Sequence, residues 1–269
     1  MPVKIQQWLV VTDLDGTMLN HHSYEISAAK DMVNVLQKHH IPVILNTSKT
    51  YAETLEIRAT LNITDPFIVE NGSAIYLPKK DFEKPPDAAS YEDYWLIILG
   101  ERQQQISRVL SVMDIDDDCC TRLSQCTVEQ AVSLTGLTEQ QAANAIAREY
   151  SEPLIWLSDE TSLADFKRHL AEHALTTLQG GRFLHVIGDC DKGRSTLRLL
   201  EYYPADTKTI ILGDSANDAA MLSVADISVI VNSPSNHQLR ELLTPDIQTI
   251  STAPKGWQEA IREVFPQLQ

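Results

Sequence analysis

Short apolar runs alternating with amphipathic stretches of helical length set the strongest limit on what this chain can become. Trp8 to Thr12 is a Val-rich apolar run ending at Asp13. Residues 26 to 39 then place Ile26, Ala29, Val33 and Leu36 at helical spacing. Ile41 to Leu45 is a second run, Thr50 to Leu61 reads as a second helix, and Phe67 to Val69 is a third run. Strands joined by helical crossovers run parallel, so the pattern predicts a parallel sheet flanked by helices. It returns in the last third. There Asp191 is the expected N-cap of a helix over Lys192 to Tyr202. Thr209 to Leu212 and Ile227 to Val231 read as strands, with Asp218 to Val224 helical between them. Trp257 to Phe265 reads as a closing amphipathic helix. The expected fold class is α/β with a Rossmann-like parallel sheet.

The middle of the chain breaks this rhythm. Lys84-Pro85-Pro86-Asp87 is a stiff polar interruption. Beyond it, Tyr94 to Leu99 suggests a strand, followed by a helix to about Met113. Residues 138 to 149 are helical in pattern, and Pro153 to Leu157 is strand-like. Leu175 to Gln179 and Arg182 to Ile187 flank Gly180-Gly181, which predicts a hairpin. The reading is an α+β domain of residues 85–187 inserted into a core made of residues 1–84 and 188–269. With 269 residues, 43% of them hydrophobic, the chain has apolar material for both.

Two strand ends carry the chemistry. In an open parallel sheet, ligands bind beyond the carboxyl ends of the strands. Asp13-Leu14-Asp15-Gly16-Thr17 stands at the end of the first run. Residues two apart in extended chain point the same way, so Asp13 and Asp15 face one site, and Gly16 permits a sharp turn after them. One carboxylate can then attack while the other moves protons. Gly213-Asp214-Ser215-Ala216-Asn217-Asp218 follows the strand at Thr209 to Leu212. Alone, it reads as a turn with capping Asp and Asn. Beside the first motif, Asp13, Asp214 and Asp218 make a hard oxygen set suited to magnesium. Thr47 ends the second strand, with Ser48 and Lys49 next, and Lys192 opens a helix. A hydroxyl and an ammonium there suit a transferring phosphoryl group.

In that order these segments resemble the four motifs of the haloacid-dehalogenase superfamily. The resemblance implies Asp13 as nucleophile and Asp15 as acid, then base. It also implies Thr47 and Lys192 on phosphate, with magnesium on Asp13, the Asp15 carbonyl, Asp214 and Asp218. Glu70-Asn71-Gly72 resembles a segment of the branch with a large cap inserted after the third core strand. Within that branch the chain is similar to mannosyl-3-phosphoglycerate phosphatases. The segments that carry this likeness are Asn46-Thr47-Ser48-Lys49-Thr50, Gly136-Leu137-Thr138, Arg148-Glu149-Tyr150-Ser151-Glu152-Pro153, Gln179-Gly180-Gly181-Arg182-Phe183-x-His185 and Gly256-Trp257. Ala253 stands before Pro254 where the family pattern has Gly. The resemblance assigns Ser48, Lys49, Glu70, Asn71, Gln179, Gly180, Arg182, His185 and Asn217 to the substrate. Arg182 would fork the glycerate carboxylate. By strand parity Arg182 and His185 point to opposite faces and need not act together. Trp95 and Trp156 are expected in the core, and Glu149 and Glu152 in the cap's own structure.

Net charge and cysteines bound the partners. At −15 and pI 4.9 the surface repels phosphate backbones and anionic lipid, which excludes nucleic acid and membrane surfaces as expected partners. A local cluster of cations and metal still admits a small anionic substrate. The acidic run at Asp116 to Asp118 reads as a solvated loop. Cys119, Cys120, Cys126 and Cys190 form no C-x-x-C pair and read as free thiols. With an apolar strand pattern directly at the N-terminus and no membrane-length run, the expected setting is the cytoplasm. The expected function is magnesium-dependent hydrolysis of mannosyl-3-phosphoglycerate or its glucosyl analogue. Two alternatives stay open: a broader sugar-phosphate phosphatase, and a ligand-binding regulator with a dead site. Oligomeric state is not read from these features.

Overall fold

A computed structural model describes residues 7–20, 26–113, 119–180 and 183–268. The elements of the first part are β1 (Trp8–Thr12), α1 (Ser27–Lys38), β2 (Val43–Asn46), α2 (Tyr51–Leu61), β3 (Phe67–Val69), β4 (Ala74–Pro78), β5 (Ala89–Tyr91) and β6 (Tyr94–Ile98). There follow α3 (Gln103–Val112), β7 (Cys120–Arg122), α4 (Val128–Thr135), α5 (Glu139–Ile146), β8 (Ser151–Trp156), α6 (Glu160–Glu172), β9 (Leu175–Gly180) and β10 (Phe183–Gly188). The chain closes with α7 (Lys192–Leu200), β11 (Lys208–Gly213), α8 (Ala219–Leu222), β12 (Ile227–Asn232), α9 (His237–Leu242), β13 (Ile247–Thr252) and α10 (Lys255–Val264).

One nine-stranded sheet has the order β13-β12-β11-β1-β2-β3-β4-β6-β5. The pairs from β13 to β3 are parallel, as the crossover pattern requires. The chain leaves β1 toward β2 and β3, and later returns to its other side through β11 and β12. The carboxyl end of β1 is therefore the topological switch point, where a crevice opens between diverging crossovers. The central strands of this sheet are buried on both faces because they alternate apolar residues to both. Val10, Leu45 and Leu212 pack with Val33, Leu36, Trp257 and Ile261 on one face. Leu9, Val11, Ile44 and Ile211 pack with Leu199, Met221 and Leu239 on the other.

The second sheet, β7-β8-β10-β9, is antiparallel. Leu154, Leu184 and Val186 pack on Ile106, Leu110, Phe166 and Leu170 of α3 and α6. With period two, His185 lies on the opposite face, toward the core. The expected hairpin around Gly180 is present in the pairing of β9 with β10. One boundary is corrected. Residues 85 to 98 were expected in the insertion, but β6 pairs antiparallel with β4, and β5 with β6, extending the core sheet. β4 is a fully buried strand paired with β3, and it offers β6 an edge to complete. We propose that the inserted cap runs from about Gly100 to Gly188.

Candidate active site

The floor of the site is built at the switch point. Thr12, at the end of β1, accepts a hydrogen bond from the Trp257 indole at 3.0 Å, which ties the strand end to α10. The next residue, Asp13, donates its N–H to the Leu212 carbonyl at 3.0 Å. Asp191 caps α7 by accepting from the Arg194 N–H at 2.8 Å, and so aims Lys192 across the sheet end. Lys192 Nζ donates to Asp13 Oδ1 at 2.6 Å and to Asp218 Oδ1 at 2.7 Å, and it is 1% exposed. Asn46 holds the start of α7 through the Lys192 carbonyl (2.9 Å) and Thr196 Oγ1 (3.0 Å). Asp218 Oδ2 accepts the N–H groups of Asp214 (2.9 Å) and Ser215 (3.0 Å). Gly213 makes this turn possible: a Cβ there would lie 2.5 Å from Asp218 Cβ. Thr17, the last residue of the first motif, donates to Asp214 Oδ1 at 3.0 Å.

Asp13, Asp214 and Asp218 each place a carboxylate oxygen within 4.8 Å of the others, and all three are buried. Burial drives the Asp13 carboxyl up to about 8; Lys192 pulls against this, and Asp218 and Asp214 push with it. Burial alone would lower the Lys192 pKa, but Asp13 and Asp218 hold it above its ordinary value. Fully ionised, three carboxylates facing one ammonium would carry a double negative charge away from water. A divalent cation that prefers oxygen ligands cancels it, so the donor set fits magnesium. Asp218 accepts four hydrogen bonds in all, from Lys192, the Asp214 and Ser215 N–H groups and, at 3.4 Å, the Ser215 hydroxyl. The Asp15 side chain stands outside this cluster of three.

The rim of the site comes from the turns after β1 and β2. Asp15 Oδ2 lies 2.8 Å from Lys49 Nζ, and Glu53 one helical turn on is 3.7 Å from the same ammonium. Thr47 is wholly buried, and its hydroxyl accepts the Lys49 N–H at 3.1 Å. Ser48 is half-buried on the cleft wall.

Glu70 is not where the resemblance put it. Its side chain is 0% exposed. It accepts the N–H groups of Glu149 (2.9 Å) and Tyr150 (3.1 Å) and the Ser151 hydroxyl (2.5 Å), and so clamps the start of β8 to the core. Both oxygens are engaged there, and the side chain is not part of the cleft lining. The turn that carries it is tight: Glu70 and Asn71 both have left-handed φ, 48° and 60°. A Cβ on Gly72 would lie 2.2 Å from the Asp191 carbonyl. Asn71 stands behind Asn217, accepting its Nδ2–H at 3.1 Å, and is 1% exposed. Asn217 itself lines the cleft.

The cap covers this floor. The resulting cleft, about 250 Å³, is lined by Asp13, Asp15, Ser48, Lys49 and Asn217 from the core and by Arg148, Gly180, Phe183 and His185 from the cap, among others. His185 is buried, and burial, with Arg148 and Lys192 nearby, pushes its pKa down to about 3. Gln179 is exposed and turned onto its own hairpin, donating to the Phe183 carbonyl at 3.3 Å. Arg182 lies outside the described residues. Arg148 is the cleft residue that sequence reasoning missed. It opens the segment Arg148 to Pro153, directly ahead of Glu149, but nothing local marks it as facing the site. Trp95 and Trp156 are half-buried at the edges of their cores.

A parallel sheet with its acids at the switch point and an inserted antiparallel cap defines a class. The model of haloacid dehalogenase-like hydrolases matches residues 10–241, and the chain belongs to that family. Two curated relatives are similar to this chain over nearly its whole length. The chain is 33% identical to a glucosyl-3-phosphoglycerate/mannosyl-3-phosphoglycerate phosphatase of Methanococcoides burtonii, covering 96% of this chain and 97% of the relative. It is 32% identical to the protein of the same description from Persephonella marina, covering 97% and 98%. Among solved structures, a haloalkanoate-superfamily phosphatase of Bacteroides thetaiotaomicron aligns with a TM-score of 0.70 at 16% identity, over 99% of this chain and 98% of that one. A Thermoplasma acidophilum protein aligns at 0.69 and 15%, over 98% and 100%. At such identities the structural likeness speaks for the fold.

Proposed function

We propose that this chain is a magnesium-dependent phosphatase that hydrolyses mannosyl-3-phosphoglycerate or its glucosyl analogue to the glycosylglycerate and phosphate. The observation that carries the chemistry is Asp13 at the switch point, 2.6 Å from a buried Lys192 and grouped with two further carboxylates. The relatives' names carry the substrate.

The residues divide the work as follows. A carboxylate oxygen of Asp13 attacks phosphorus, the bond to the ester oxygen breaks, and Asp15 gives that oxygen its proton. Asp15 then takes a proton from water, which attacks the aspartyl-phosphate, releases phosphate and restores the Asp13 carboxylate. Lys192 and Thr47 hold the phosphoryl oxygens through positive charge and a hydroxyl. Asp13, Asp214 and Asp218, with the Asp15 carbonyl, would hold the cation, which supplies charge neutralisation and polarises a phosphoryl oxygen. The cap closes the cleft over the rest of the molecule, where Ser48, Lys49, Gly180, His185 and Asn217 are within reach of substrate. None of the four cysteines is in a disulfide. No helix among the described residues is long and apolar enough to cross a membrane. Cysteines kept out of disulfides favour a cytoplasmic setting.

Released phosphate is the direct test. With magnesium, the glycosyl phosphoglycerates should exceed simple sugar phosphates in kcat/KM by at least about tenfold, a difference of ~1.4 kcal/mol in transition-state binding. Chelation should abolish turnover, and Asp13→Asn should release no phosphate while keeping its thermal transition. Equal turnover of simple sugar phosphates would leave a broad phosphatase, and no release from any ester would leave a binding protein.

A further inference from the structure

Arg148 sits on a stretch of chain that the core holds from both sides. Before it, Thr50 donates to the Asn144 carbonyl at 2.9 Å, and Asn144 donates to Glu56 at 2.7 Å. After it, Glu70 pins Glu149, Tyr150 and Ser151. The side chain is fixed in turn. Nε donates to the Ala145 carbonyl at 3.1 Å and Nη1 to the Ser48 carbonyl at 2.6 Å, with Ser151 Oγ 3.5 Å from Nη1.

What these bonds omit is informative. A guanidinium has five N–H groups in a planar fork, and Arg148 spends its donors on neutral oxygens. Among the described residues no carboxylate lies within ion-pair distance of it. Glu70, whose charge it feels, already holds three donors. Yet Arg148 lines the cleft that Asp13 and Asp15 floor. Lys192 supplies the buried cation at the phosphoryl site, so a second fixed cation on the cap side is placed for a second anionic group.

His185 adds an independent observation. It faces the core because Leu184 and Val186 are packed into the cap. It is 5% exposed, lines the same cleft, and its Nδ1 is buried without a hydrogen-bond partner. Gly180 leaves room for the ring: a Cβ there would lie 3.1 Å from His185 Nε2. Such a nitrogen in a binding cleft is satisfied when a ligand hydroxyl meets it.

We propose that Arg148 takes the carboxylate of the substrate and His185 takes a hydroxyl beside it, so that this pair selects glycosyl phosphoglycerates among phosphate monoesters. This rests on the function proposed above. A planar fork suits a carboxylate better than a point charge does. The low pKa of His185 keeps the ring neutral, so it does not compete for the anion.

The experiment measures kcat/KM for mannosyl-3-phosphoglycerate and for the analogue with a hydroxymethyl group in place of the carboxylate. The readout is their ratio in the wild type, Arg148→Gln, Arg148→Lys and Arg182→Ala. The wild type should favour the acid. Arg148→Gln should lower that ratio about 10²- to 10³-fold, because a desolvated carboxylate loses its partner. Arg148→Lys keeps the charge without the fork and should lower the ratio less. It serves as the test if the glutamine variant does not fold. Inhibition of aryl phosphate hydrolysis by mannosylglycerate, compared with mannosylglycerol, should weaken in the same variants. A ratio that survives in both Arg148 variants overturns the assignment, all the more if Arg182→Ala abolishes it. Equal loss on acid and analogue also overturns it, since Arg148 would then serve phosphate or the fold. A wild type with no preference for the acid overturns the function itself.

Discussion

Replacing Glu70 separates a clamp from a ligand. Its carboxylate accepts three hydrogen bonds from the start of β8 and none from the cleft side. Burial pushes its pKa up, while Arg148, the Ser151 hydroxyl and the two N–H groups pull it back. Hydrogen bonds to a charged group are worth ~1.5–3 kcal/mol each, so three are a large local term. Against that, Glu70→Ala relieves the cost of burying a carboxylate, which is several kcal/mol. It also strands two backbone N–H groups, at ~1–3 kcal/mol each. The balance is a loss of about 3–5 kcal/mol. For a chain of this length each kcal/mol moves Tm by roughly 2–4 °C, so Tm should fall by about 6–20 °C. Glu70→Gln keeps one oxygen and turns an amide onto an N–H, so it should lose less. Calorimetry gives Tm, and hydrogen exchange at the Glu149 and Tyr150 amides reads the clamp directly. Both amides should lose protection. An unchanged Tm with both amides still protected, together with a raised KM, would refute the reasoning and return Glu70 to the substrate.

Two further outcomes follow from the same geometry. Asp15→Asn should slow hydrolysis of a glycosyl phosphoglycerate by ~10²-fold or more, but cut the phosphorylation step of an aryl phosphate less, because an aryloxide leaves without a proton. Equal single-turnover losses on both esters would exclude Asp15 as the acid. His185 should make the fold acid-sensitive. Its folded pKa, about 3, lies below the ordinary 6.5, so the unfolded chain gains a proton that the folded one refuses as pH falls below 6.5. Its contribution to stability is intact above that pH and declines toward pH 3, by roughly 3 kcal/mol between pH 7.5 and 4.5. His185→Gln should flatten that decline in denaturant titrations at the two pH values. An identical decline in the variant would remove His185 as its source.

The core was legible because its signals are local. β1 and β3 match their apolar runs residue for residue; α2 starts one residue after its expected beginning, Thr50 being its cap, and α7 begins after the expected cap, Asp191. The inserted helices were read less completely. α6 spans Glu160–Glu172 but buries only Phe166 and Leu170, too narrow a stripe to stand out by periodicity. The edge of the core was misjudged for a similar reason. Nothing in Ala89–Tyr91 or Tyr94–Ile98 states which sheet will accept it, and β4 decides that through long-range pairing.

The sequence by itself determined the fold class, the acids at two strand ends, and the lysine between them. Each depends on the alternation of one strand or the start of one helix, which neighbouring residues settle. Only the tertiary structure decided that Glu70 faces the β8 backbone rather than substrate. It likewise decided that Asp218 is braced by Lys192, Asp214 and Ser215, and that Arg148 turns into the cleft. Those orientations are set by partners about 80 residues from Glu70 and 100 residues from Arg148. The direction a long side chain takes follows the acceptors and donors that folding brings to it, and no window of sequence holds them together.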